Sequence, residues 1–118
     1  MFKRKRSTIK SKVKDISPSE AQDLIQNNKD NPSFLLLDVR TPEEFQQSHL
    51  NGAKLIDFYA NNFTKEIMEL DKSKKYLIYC RTGVRSSKTM KLMEKAGFKE
   101  VYNLSGGITR WNKSGLPH

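Results

Sequence analysis

The only cysteine of the chain, Cys80, opens the run Cys80-Arg81-Thr82-Gly83-Val84-Arg85-Ser86. An apolar segment, Tyr76-Leu77-Ile78-Tyr79, leads into this run, and a helical pattern leaves it. The first backbone N–H groups of a helix lack internal partners and point outward. A loop curled about that point therefore forms an anion cradle. Gly83 permits the turn that a side chain would obstruct, and Arg81 and Arg85 add two positive charges within five residues. A free thiol has a pKa of about 8.5, and one at a helix start beside Arg falls to roughly 3.5–7.5. Cys80 is then a thiolate nucleophile at neutral pH. The same cradle would hold an anionic substrate group and stabilise negative charge as it moves. A nucleophile and an anion site at one point suit transfer of a group from an anionic donor. The plain alternative is a lone cysteine acting as a small buried hydrophobe.

With one cysteine there is no internal disulfide, no two-cysteine redox pair and no cysteine-rich zinc site. A thiol partner has to come from another molecule, and no cofactor or metal is called for. His49 is a candidate to activate Cys80, but the stronger reading has it order the turn before Gly52, because a cradle alone can activate a thiol. Asp38 and Arg40 are expected to brace the loop, through pairing of Arg40 with a carboxylate such as Glu44. Trp111, Met90 and Met93 read as core, and His118 is terminal.

The elements that must position these groups alternate. Val13 to Ile16 reads as a short strand. Ser17-Pro18-Ser19-Glu20 has the form of a helix start with a capping box, and Thr41-Pro42-Glu43-Glu44 repeats it. Phe34 to Val39 predicts a buried strand, Ala53 to Ile56 another, and Asn61 to Leu70 a helix. Tyr76 to Tyr79 is a strand, Cys80 to Arg85 a loop, and Ser86 the start of a helix with Met90, Met93 and Ala96 on one side and Gly97 as its stop. Val101 to Leu104 is a further strand, Gly106-Gly107 a turn, and a last short helix carries Ile108 and Trp111. Strands separated by helices predict an α/β domain, a parallel sheet of about five strands covered on both faces. Sites in such sheets lie beyond the carboxyl ends of the strands, where both Asp38-Arg40 and Cys80 fall.

The formal net charge is +9, unevenly spread. Residues 1–14 hold Lys3, Arg4, Lys5, Arg6, Lys10, Lys12 and Lys14 and no acid, while the rest holds 15 Lys and Arg against 13 Asp and Glu. The high pI thus describes a tail, read as a disordered arm over residues 1–12 ahead of a domain over residues 13–117, and not a nucleic-acid-binding face. Attraction of residues 1–14 to anionic lipid, or a membrane segment upstream of them, are the alternatives for the tail. No apolar run approaches the roughly 20 residues that span a bilayer, and the expected location is the cytoplasm, with membrane association open.

Cys-x-x-Gly-x-Arg resembles the active loop of single-domain rhodanese-like sulfurtransferases. Asp38-Val39-Arg40, Glu44-Phe45 and His49-Leu50-Asn51-Gly52-Ala53 are similar to that family's D-V-R-x-x-x-E-F…H-I-x-G-A pattern, and Leu104 to Trp111 to its closing L-x-G-G-x-x-x-W. Ser48 stands where the family commonly has Gly. Cysteine phosphatases place Arg six positions after Cys, and here Arg85 follows Cys80 by five, a loop better matched to one sulfur atom than to a phosphoryl group. The resemblance implies attack by Cys80 on the outer sulfur of thiosulfate and a persulfide on Cys80. It further implies a cradle from the amides of Arg81, Thr82, Gly83, Val84, Arg85 and Ser86, with Arg81 and Arg85 drawing in the donor. The expected partners are an anionic sulfur donor and a thiol or cyanide acceptor, with no nucleic acid, and a monomer is expected. A non-catalytic sulfur-carrier or partner-binding module, and a cysteine phosphatase or arsenate reductase, stay as alternatives.

Overall fold

Two of the helix starts are written into the chain by a hydroxyl residue followed three positions later by Glu. Ser17 and Glu20 exchange side-chain and backbone hydrogen bonds around the start of α1 (Pro18–Asn27), and Thr41 and Glu44 do the same at α2 (Pro42–Gln47). The computed structural model describes residues 11–118. In it these helices alternate with strands β1 (Lys12–Ile16), β2 (Phe34–Asp38), β3 (Lys54–Leu55), β4 (Lys75–Tyr79) and β5 (Glu100–Leu104), and with α3 (Phe63–Met68), α4 (Val84–Lys95) and α5 (Gly107–Lys113).

The five strands form one sheet in the order β1-β5-β4-β2-β3, with every neighbouring pair parallel. A single α/β domain with a five-stranded parallel sheet is the architecture expected from the alternation. Successive residues of β4 point to opposite faces. Tyr76, Ile78 and the adjoining Cys80 pack with Phe63 and Ile67 of α3 and Met90 and Met93 of α4. Leu77 and Tyr79 pack with Ala21 of α1 and Ile108 and Trp111 of α5. The sheet is thus covered on both faces, and Trp111, Met90 and Met93 are core residues.

Three boundaries differ from expectation. α3 is shorter than residues 61–70, and Asn62 makes no side-chain cap. α4 starts at Val84, two residues before Ser86, with Gly83 at its N-cap in the left-handed region at φ 104°; a backbone turn starts this helix, without a capping side chain. β1 begins at Lys12, so Lys12 and Lys14 belong to a strand paired with Glu100 and Tyr102. An edge strand tolerates lysines on its solvent side, so the strand read as Val13 to Ile16 extends one residue back into the basic run. The remaining basic residues of the arm, Lys3 to Lys10, lie outside the described residues.

Candidate active site

Cys80 follows β4 directly, at the sheet's carboxyl edge, and is 1% exposed. Its Sγ accepts hydrogen bonds from the Gly83 N–H at 3.0 Å, the Ser86 N–H at 3.4 Å and the Ser86 hydroxyl at 3.3 Å. These donors belong to the N-cap and first turn of α4, so the sulfur sits at the positive end of that helix. Burial alone would push the Cys80 thiol up. The Ser86 hydroxyl and the N–H groups of Ser86, Gly83 and Thr82 outweigh it, and the pKa falls below its ordinary value. Cys80 is therefore not surrounded as an inert core hydrophobe is: the donors around its sulfur favour the thiolate over the thiol.

The loop is braced from beneath. The Ile108 N–H donates to the Cys80 carbonyl at 3.0 Å and the Thr109 N–H to the Arg81 carbonyl at 3.1 Å. The first turn of α5 therefore ties off two loop carbonyls. Gly107 makes this approach feasible, since a Cβ there would lie 2.4 Å from the Arg81 carbonyl oxygen and 2.5 Å from that of Cys80. The sequence pattern Gly106-Gly107 predicts only a turn, and its bracing of the Cys80 loop is a tertiary fact.

Asp38 and Arg40 form a buried pair. Asp38 Oδ2 accepts from Arg40 Nη2 at 2.7 Å, and Asp38 Oδ1 from the Arg40 N–H and Nε at 3.0 and 2.9 Å. Arg40 Nη2 also donates to the Ser48 carbonyl at 2.6 Å, and the Leu50 N–H donates to the Tyr79 hydroxyl at 3.0 Å. The end of β2 thus holds the segment after α2, and the Val39 N–H joins it to the Tyr79 carbonyl beside Cys80 at 3.0 Å. The expected partner of Arg40, Glu44, is engaged elsewhere: Asp38 lies nearer, two residues away on the same strand end, and satisfies the guanidinium. His49 stacks on Phe45 with ring centroids 3.8 Å apart, and its Nδ1 is 2.8 Å from the Phe45 carbonyl. The imidazole is not among the hydrogen-bond partners of Cys80.

Glu44 is the residue that sequence reasoning misplaced. It forms a two-pronged ion pair with Arg85, at 2.8 Å to Nη1 and 3.0 Å to Nη2, and lies 3.8 Å from Arg81 Nε. The Arg85 guanidinium holds the Glu44 carboxyl down at about 2, against the pull of burial and with help from Thr41. The capping box was the available signal, because it turns the Glu44 side chain back toward the start of α2. Arg85 Cζ also lies 5.7 Å from the ring centroid of Tyr59. The positive charge expected of Arg85 is accordingly compensated, and the exposed cation at the mouth is Arg81, 68% exposed. Thr82 and Val84 are exposed beside it. A cavity of about 480 Å³ lined by Ile25, Phe34, Leu50 and Trp111 includes none of these loop residues.

The family model for the rhodanese-like domain matches residues 17–114. A probable adenylyltransferase/sulfurtransferase, MoeZ, of Mycobacterium tuberculosis is 34% identical over 107 residues, covering 91% of this chain; the chain spans 26% of that relative's length. A sulfurtransferase of Allochromatium vinosum is 31% identical over 102 residues, covering 86% of this chain and 94% of the relative. The thiosulfate sulfurtransferase GlpE of Actinobacillus pleuropneumoniae is 31% identical over 105 residues, covering 87% and 90%. Among solved structures, a rhodanese-like domain protein from Staphylococcus aureus superposes with a TM-score of 0.71 at 30% identity, covering 89% of this chain and 97% of that one.

Proposed function

The chain belongs to the rhodanese-like family, and from that premise we propose that it is a sulfurtransferase moving sulfane sulfur from an anionic donor such as thiosulfate to a nucleophilic acceptor through a persulfide on Cys80. The observation that carries this reading is the Sγ of Cys80 held by three donors at the start of α4. The Cys80 thiolate attacks the outer sulfur of thiosulfate. A bond forms between Sγ and that sulfur, the sulfur–sulfur bond of thiosulfate breaks, and sulfite leaves with the electron pair. The persulfide's terminal sulfur carries the negative charge, which the same amides are oriented to stabilise. A thiolate or cyanide then attacks the terminal sulfur and Cys80 departs as thiolate.

Arg81 is the group suited to drawing in the donor, because its charge is at the surface while that of Arg85 is taken up by Glu44. That pairing also weighs against phosphoryl chemistry, which needs an arginine open to two phosphate oxygens. Thiosulfate-to-cyanide turnover and intact-protein mass test the proposal. After thiosulfate the protein should gain the mass of one sulfur atom, lost on adding cyanide. Cys80→Ser should abolish both signals without loss of fold, and Arg81→Ala should raise KM for thiosulfate more than it lowers kcat. Turnover retained in Cys80→Ser would sink the mechanism.

A further inference from the structure

Helix α4 leaves the catalytic loop with an uneven charge. Its exposed positions Val84, Lys88, Lys91 and Lys95 are spaced by four, three and four residues, which places them in one row down the helix. Residues 81–95 hold five Arg and Lys against one acid, Glu94, whereas the rest of the chain from residue 15 holds ten against twelve. The surplus positive charge of the domain body therefore falls within residues 81–95, and with Arg85 taken up by Glu44 the helix's remaining cations are the three lysines of the row. Arg81, in the loop ahead of the row, is exposed with its Nε 3.8 Å from Glu44. Val84, at the head of the row, is 60% exposed and with Tyr59 is one of two exposed large hydrophobics among the described residues. An open groove of about 480 Å³ adjoins the row, bordered by Thr82 and Gly83 of the loop and by Lys88 and Lys91. The groove's one acid, Asp15, already accepts from Asn103 Nδ2 at 2.9 Å.

We propose that this groove and lysine row dock an acidic sulfur acceptor, a protein segment in which Asp and Glu flank a cysteine. The inference rests on the sulfur-transfer reading above and names its partner. From Val84 to Lys95 the row is about 16 Å long at 1.5 Å per residue, more than a small thiol spans and about five residues of extended chain. An open groove bordered by the loop that carries Cys80 suits a chain segment, whose thiol has to come to that loop. Acidic side chains meet Lys88 and Lys91, and the acceptor thiolate reaches the terminal sulfur on Cys80. The new bond forms at that sulfur, its bond to Sγ breaks, Cys80 leaves as thiolate with the bonding pair, and the terminal sulfur carries its negative charge over to the acceptor's new persulfide.

Two labelled peptides test this, one with a cysteine flanked by Asp and Glu and one with Asn and Gln in their place. Fluorescence anisotropy at low salt should show the acidic peptide binding about tenfold tighter. The paired substitution Lys88→Glu and Lys91→Glu should remove that preference and lower kcat/KM for sulfur transfer to the acidic peptide about tenfold. Thiosulfate-to-cyanide turnover should stay the same. Equal affinity for the two peptides, or an acidic preference that survives the substitutions, would overturn the proposal. So would a parallel fall in cyanide turnover, because the charges would then act on the loop. Phosphatidylserine vesicles provide the lipid arm: a substitution effect on vesicles and none on the acidic peptide would also overturn it. Anisotropy requires no chemistry, so docking is read separately from any failure of thiosulfate as donor.

Discussion

Glu44 has two tasks that one substitution separates. Gln at this position keeps the capping box of α2 and removes the charge facing Arg85. The folded carboxyl titrates at about 2 against an ordinary 4.5. A depressed carboxylate contributes stability that is fully present above its unfolded pKa and is lost as pH falls through the folded one. Glu44→Gln should therefore cost on the order of 2 kcal/mol at neutral pH after allowance for partial solvent screening. The gap between wild type and variant in urea unfolding should close between pH about 4.5 and about 2. A gap that stays constant over that window would refute the pairing. The freed Arg85 should also make inorganic phosphate a better inhibitor of thiosulfate turnover, by about three- to tenfold, a gain that a merely damaged fold would not produce. The loop and the donors that surround Cys80 were legible in the sequence because Cys80, Gly83 and Ser86 are neighbours in the chain. The partner of Arg85 was not, because 41 residues separate it from Glu44 and only the sheet brings the ends of α2 and α4 together.

The elements show the same division. α1 and α2 announce themselves through Ser17, Thr41 and their glutamates. α4 does not, since Gly83 starts it by backbone conformation without a capping side chain. The Cys80 loop depends on a junction of two helices, α4 supplying donors to Sγ and α5 supplying donors to the loop carbonyls. Gly107→Ala tests that junction. A Cβ would enter the Arg81 and Cys80 carbonyl groups at 2.4–2.5 Å, at a backbone φ of +64°. The expected cost is on the order of 3 kcal/mol or more, with loss of persulfide formation. Gly115→Ala is the control: its φ is +73° with nothing within 4 Å, so it should show backbone strain alone, about 1 kcal/mol, and keep full transfer. Equal effects of the two substitutions in chemical denaturation would remove the close approach as the reason for Gly107.

Across the whole molecule, the support of the site reaches the far edge of the sheet. Among the described residues β1 pairs with β5 alone, in register from Lys12 opposite Glu100 to Ile16 opposite Leu104. The Ser105 N–H donates to the Ile16 carbonyl at 2.9 Å, just before the Gly106-Gly107 turn that launches α5 toward the loop. Lys12, read as the last residue of the arm, thus belongs with Lys14 to the strand that lines β5. A chain beginning at Ser17 should unfold well below one beginning at Ser11. It loses the burial of Ile16 and part of that of Val13, about 2–3 kcal/mol, together with the β1 ladder. For a domain of this size that lowers Tm by roughly 10–20 °C. Persulfide formation at a temperature where both chains are folded should be slower in the shorter one, because β5 then carries an unpaired edge into the turn that braces the loop. Matching Tm and matching rates in the two chains would place the support of Cys80 entirely within β4, α4 and α5 and leave β1 without a part in it.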